Sequence, residues 1–166
     1  MEELLARDLL QTNIHLLRKL PVDFDLAPAK VIAAIAQLQP DIIVCCGMAE
    51  RRSRLSIESN GKLEDEVIHT TVNVQELIRG LSITRVSHHA GKFVCNHTYY
   101  SVLKYIQDSQ ISSHCLFVHV PVLSGDNREA IAIDFSVILN RLIMHDSSPS
   151  VGASYASNRS SFSDSS

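Results

Sequence analysis

No uninterrupted apolar run in this chain approaches the ~20 residues needed to cross a bilayer. Its start, Met1 followed by two Glu, lacks the cationic block and apolar stretch of a secretory leader. An excess of positive charge is missing as well. Fifteen Lys and Arg stand against eighteen Asp and Glu, a formal charge of −3, which speaks against a nucleic-acid protein held by phosphate contacts. Four cysteines, Cys45, Cys46, Cys95 and Cys115, contain no CxxC pair and are too few for a disulfide framework. These absences leave a cytoplasmic domain with reduced thiols, without nucleic-acid or membrane partners, as the expectation.

What is present suits a packed core. Of 166 residues, 45% are hydrophobic and 20% charged, enough for one domain. Residues 147–166 differ sharply, with ten Ser and almost no aliphatic side chains. Such a segment cannot bury enough apolar surface to offset its ordering entropy, so we expect a disordered tail after a domain spanning 1–146.

The hydrophobic pattern alternates between two periods. Val31, Ile35 and Leu38 mark a helix over 25–39, with Pro28 in its first turn and Pro40 beyond its end. The apolar run 41–47 follows at once and reads as a buried parallel strand whose adjacent thiols, Cys45 and Cys46, are both buried. Shorter strands are predicted over 55–58, 68–74 and 83–88, with Asn60-Gly61 in a polar loop and Glu64 to Glu66 in a solvated one. Tyr99, Val102, Leu103 and Ile106 share one face of a helix over 93–107. Residues 115–121 form a strand ended by Pro121, and 127–144 a long closing helix; residues 1–20 look helix-like. This order predicts an α/β fold, a single three-layer α/β/α sandwich with a mostly parallel central sheet. Chemistry in such folds gathers at the carboxyl ends of strands, which puts Gly47, residues 87–95 and residues 119–121 at the rim.

Five of the eight histidines fall between His88 and His119. They lie on separate predicted elements without an HxxxH anchor, so the pattern gives little support to zinc. A Cys–His pair fits better. Cys95 follows a Gly turn into a helix, where unpaired N–H groups and the helix dipole favour thiolate and could receive an oxyanion. His119 stands at a strand end. By spacing alone, the alternative also holds: Cys95 a small buried hydrophobe and His119 a satisfied core histidine. Glu58, isolated in an apolar strand, is the acid that would orient an imidazole. Arg51, Arg52 and Arg54 read as a solvated or ion-paired turn from which one residue can line the site.

Four blocks occur in order: Gly47-Met-Ala-Glu-Arg-Arg, Ile57-Glu58-Ser59, Ala90-Gly91-Lys92-Phe93-Val94-Cys95-Asn96-His97 and Phe117-Val118-His119-Val120-Pro121. Together they resemble the blocks of the pyroglutamyl peptidase type I family. The resemblance implies a cysteine peptidase that removes N-terminal pyroglutamate from peptides with no cofactor or metal. Its nucleophile falls on Cys95, its general base on His119 and its orienting acid on Glu58, with Met48, Phe93 and Val94 at the substrate. It also implies a single α/β/α domain, often assembled into homo-oligomers.

The chain departs from that pattern in places. The family's N-terminal strand and its Gly-Phe-x-Pro-Phe-Gly loop, whose aromatic rings hold the pyroglutamate, have no counterpart here; an assigned start too far downstream would account for this. Its Ala-Arg-Ile-Pro-Asp-Asn stretch is missing, so that Ile68 occupies the place of an oxyanion-stabilising Arg. Met48 replaces a Gln. A protein that kept the fold and lost the pocket, acting as a non-catalytic binding or scaffold protein, is therefore the alternative function.

Overall fold

The computed structural model describes residues 14–146. The expected tail, and most of the helix-like N-terminal segment, lie outside them. Residues 14–20 of that segment are described and form no helix. They run without regular structure to Leu20, which packs between the first and third helices.

Helix α1 (Leu26–Leu38) starts where Asp23 Oδ1 accepts from the backbone N–H groups of Asp25 (2.9 Å) and Leu26 (2.8 Å). Its end is set by Gln39, whose left-handed backbone (φ 47°) returns an N–H to Ile35 O. Strand β1 (Ile42–Met48) follows, then β2 (Leu55–Glu58), β3 (Asn60–Leu63) and β4 (Glu66–His69). A single helical turn, α2 (Val74–Leu77), leads to β5 (Thr84–Ser87), helix α3 (Val94–Asp108), strand β6 (His114–Val120) and helix α4 (Arg128–Asp146).

Four strands form one sheet in the order β1-β6-β2-β5. Two of its three pairings are parallel, β1 with β6 and β2 with β5, while β2 runs antiparallel to β6. Helices α2 and α4 cover one face through Leu55, Ile57, Leu116, Val118, Ile131, Phe135 and Ile138. Helices α1 and α3 cover the other through Val31, Ile35, Tyr99, Val102, Leu103, Cys115 and Phe117. The three-layer expectation holds.

Three local expectations are corrected. The polar stretch after Glu58 is no loop: β3 and β4 pair as an antiparallel hairpin, with Asn60 opposite His69 and Leu63 opposite Glu66. Gly61 is required there, because a Cβ on it would sit 2.6 Å from the Tyr100 Cα of α3. The strand expected over 68–74 stops at His69, since the Asn73 side chain accepts from Glu76 N–H and starts α2 instead. Cys46 is exposed and Cys45 half-buried, because β1 lies at the sheet edge and covers neither thiol fully.

Candidate active site

Alternation along the strands decides which side chains meet. In register, Gly47 lies opposite His119, Cys45 opposite Phe117, Ser56 opposite His119 and Glu58 opposite Phe117. Paired residues share a face, so Gly47, Phe117, His119 and Glu58 all point towards α3. Glu58 is 0% exposed and His119 is 6% exposed. Glu58 Oε1 lies 2.7 Å from His119 Nδ1, so the Nδ1 proton is donated to the carboxylate and Nε2 remains as the proton-accepting nitrogen.

Helix α3 brings the thiol. Gly91 turns the chain with φ +87°, Phe93 is extended as the N-cap, and Cys95 is the second residue of the helix. A Cβ on Gly47 would lie 3.0 Å from both Cys95 Sγ and Phe117 Cζ, so the absent side chain is what makes room for the sulfur. The Phe117 ring in turn packs on the His119 ring, 4.8 Å between centroids. Among the described residues no hydrogen bond joins Cys95 to His119; Phe117 and the Gly47 gap are their common ground.

Two further residues of α3 fasten it to β2, which carries the acid, and to β3 beyond it. Tyr99 donates its phenol to Glu58 O (3.0 Å). Asn96 pairs with the β3 backbone like another strand, accepting from Lys62 N (2.9 Å) and donating to Lys62 O (2.5 Å). Neither was singled out in the sequence. An Asn directly after the thiol and a Tyr one turn on are the only signal, and helical periodicity files Tyr99 simply as core.

Charge in the pocket follows from burial. Desolvation alone would raise Glu58, but hydrogen bonds from His119 and Ser87 and the Arg52 guanidinium outweigh it and hold the carboxyl below its ordinary value. Burial pushes the Cys95 thiol up, more than the backbone N–H at the helix start lowers it. The helix start therefore works against burial at this thiol.

The residues expected at the substrate separate. Phe93 (62% exposed) and Met48 (67%) stand open at the rim, whereas the Val94 side chain is buried. Phe93 meets Phe24 edge-on, and Phe24 also meets His97. Ile68 packs into the α1–α3 core. The remaining histidines are dispersed, His88 on Ser59 and His114 on Thr71. Among the described residues no three His, Cys, Asp or Glu are grouped to hold a metal ion, and no helix is long and apolar enough to cross a membrane. Cavities of about 570 and 480 Å³ open beside the turn at residues 110–113 rather than over Cys95.

The family model for pyroglutamyl peptidase matches residues 64–139, a span that includes Cys95 and His119. By this match the chain is similar to the pyroglutamyl peptidase I family. Its relatives include the pyrrolidone-carboxylate peptidases of Brachyspira hyodysenteriae, 28% identical over 132 residues, and of Vibrio campbellii, 30% identical over 137. Each alignment covers 64% of this chain, and 66% and 64% of the respective relative. The chain thus spans under two thirds of their length. Among solved structures, pyroglutamyl peptidase I of Bacillus amyloliquefaciens superposes with a TM-score of 0.67 at 19% identity, covering 76% of this chain and 79% of that one. A mutant pyrrolidone carboxyl peptidase from Pyrococcus furiosus gives 0.66 at 21%, covering 76% and 80%. At that identity the structural match establishes the fold.

Proposed function

We propose that this chain is a cysteine peptidase that releases N-terminal pyroglutamate from peptides, with Cys95 as nucleophile, His119 as general base and Glu58 as orienting acid. The observation that carries the reading is the buried 2.7 Å Glu58–His119 contact on the sheet face where Gly47 makes room for the Cys95 sulfur. A fully buried Glu with an imidazole against it is costly unless the pair is used or fully satisfied. Here its backbone and side chain converge on the elements that hold the thiol.

In the reaction, His119 Nε2 takes the Cys95 proton as the sulfur attacks the pyroglutamyl carbonyl carbon. The backbone N–H groups at the start of α3 face the resulting oxyanion. The tetrahedral species collapses as His119 returns the proton to the departing amine, leaving a thioester on Cys95. Water, deprotonated by His119, then releases pyroglutamate and restores the thiol. Burial of the thiol makes proton removal by His119 part of the first step. Phe93 and Met48 flank the acyl group on this reading, and the backbone of Val94 contributes where its buried side chain does not.

The open rim supports a second reading, a protein that binds without turnover, since ring binding supplies much of the positioning that catalysis needs. Release of a fluorogenic amine from a pyroglutamyl amide separates the two. Turnover that vanishes in Cys95→Ser and His119→Ala supports the peptidase. Turnover that persists in Cys95→Ser overturns the mechanism, and no turnover in the wild-type chain favours the binding protein.

A further inference from the structure

The loop between β1 and β2 sends a cation into the site that the mechanism above leaves unused. Arg52 Nη1 lies 2.7 Å from Glu58 Oε1, the same oxygen that His119 Nδ1 contacts. Only 17% of the Arg52 side chain is exposed, while Arg51 and Arg54 beside it stand in solvent. Its other terminal nitrogen, Nη2, donates to His89 O at 3.2 Å, on the loop that leads to α3 and Cys95. The backbone beneath it is fixed too. Ala49 N–H donates to Val120 O, one residue past His119, and Arg52 N–H donates to Ala49 O. The guanidinium therefore ties the acid to the approach to the thiol, from a loop whose backbone is anchored to the end of the His119 strand.

The groups facing the Glu58 carboxylate are few. His119 comes from β6, the Ser87 hydroxyl from β5 and Arg52 from the loop, while Tyr99 of α3 reaches only its backbone carbonyl. Of these, Arg52 alone carries a permanent charge, since His119 is charged only after it has taken a proton. A fully buried carboxylate without a cation reverts towards its neutral form, and a neutral acid holds an imidazole N–H far more weakly.

We propose that Arg52 is a positioning residue that keeps Glu58 a carboxylate and aims its Oε1 at His119, so that Nε2 stays free to accept the thiol proton. The role it would play in turnover rests on the peptidase reading; the coupling of Arg52 to Glu58 does not. A neutral residue at 52 frees Glu58 to protonate at higher pH, and the His119 Nδ1–H bond is lost with it. Lysine at 52 keeps the charge and gives up the second hydrogen bond.

The test follows the far-downfield proton resonance of His119 Nδ1–H, assigned by its disappearance in His119→Ala, as pH is lowered. Urea unfolding is measured on the same samples. In Arg52→Gln the resonance should vanish about one pH unit higher than in wild type, and in Arg52→Lys close to the wild-type pH. In a Glu58→Gln background, Arg52→Gln should change nothing further in its pH dependence. A resonance that vanishes at the wild-type pH in Arg52→Gln, while the urea midpoint falls equally at every pH, shows a merely structural arginine and overturns the proposal. Should Arg52→Gln not fold, Arg52→Lys decides: a rise of a full unit there overturns it, and retention of the wild-type pH supports it. This readout needs no substrate. A wild-type chain without turnover sinks the peptidase reading alone, and an unmoved resonance beside intact turnover sinks this one alone.

Discussion

The two faces of β2 and β6 are built from alternate residues of the same strands, and they have nothing else in common. Towards α4 point Leu55, Ile57, Leu116 and Val118, each 0% exposed and purely aliphatic. Towards α3 point Ser56, Glu58, Cys115, Phe117 and His119, buried just as deeply yet carrying hydroxyl, carboxylate, thiol and imidazole. The first face needs only volume and shape, and any well-packed hydrophobe would serve. The second buries polar atoms that need partners, and Arg52, Tyr99 and Asn96 supply several of them; among the described residues Glu58 Oε2 is left without a hydrogen bond. Period-two alternation thus lets one seven-residue strand, β6, anchor the core and present a candidate base at once.

The sharpest break between the faces is expected in activity. Cys95→Ser should lower release of the amine from a pyroglutamyl amide by on the order of 10⁴-fold or more, with the urea midpoint nearly unchanged. His119→Ala should do almost as much damage to turnover. On the other face, Leu116→Ala should cost about 2–5 kcal/mol of stability and leave turnover per folded molecule as it was. Equal losses of stability from both substitutions, measured by urea unfolding, would erase the division of labour.

Much of this arrangement was legible beforehand. The helical spacing of Val31 and Ile35, and of Tyr99, Val102 and Ile106, locates α1 and α3, and the apolar runs locate β1 and β6. The isolated acid at Glu58 was visible because nothing else in its strand is charged. Features that depend on distant neighbours were not. The β3–β4 hairpin turns at Glu64-Asp65, with Glu64 at φ 52°, instead of at an Asn-Gly pair that would have advertised it. Exposure of Cys46 depends on strand order, which local pattern does not encode. Arg51, Arg52 and Arg54 look alike in sequence, and only burial against Glu58 picks one. The burial that opposes ionisation of Cys95 was equally hidden, since the helix start is local and burial is set by distant packing.

A smaller effect should come from the gap that joins the faces' common strand to the thiol. Gly47→Ala places a methyl 3.0 Å from Cys95 Sγ and Phe117 Cζ, tighter than packed atoms accept. The neighbours must yield, at a cost of roughly 1–3 kcal/mol, and the sulfur is pushed from its seat. Site-resolved iodoacetamide labelling should then change at Cys95 and stay constant at exposed Cys46. Phe117→Leu, which trims the other clashing atom, should restore most of the lost stability in the double variant. If labelling at Cys95 is unaffected by Gly47→Ala, the glycine is not what seats the thiol.

The mildest difference between the faces is their response to pH, for only one of them can titrate. Glu58 has a lower pKa in the folded chain than its ordinary 4.5. Near that pH the unfolded chain binds more protons than the folded one, so stability rises with pH there. The contribution of Glu58 is complete above about pH 5 and is lost as pH falls through its depressed folded value. Cys95 acts at the opposite end. Its pKa is raised above 9.0 in the fold, so the unfolded chain ionises first and gains on the folded one as pH climbs past 9. Cys115, fully buried against Cys45, is raised in the same direction and adds to that alkaline loss. Urea midpoints measured from pH 3 to 10 should therefore fall at both ends. Glu58→Gln should flatten the acid slope and leave the alkaline one, while Cys95→Ala should reduce the alkaline slope and leave the acid one. Leu116→Ala, on the aliphatic face, should lower the whole curve without changing its shape. A change of shape in Leu116→Ala, or an acid slope that survives Glu58→Gln intact, would mean that the charge–burial balance around Glu58 is not what sets the pH response.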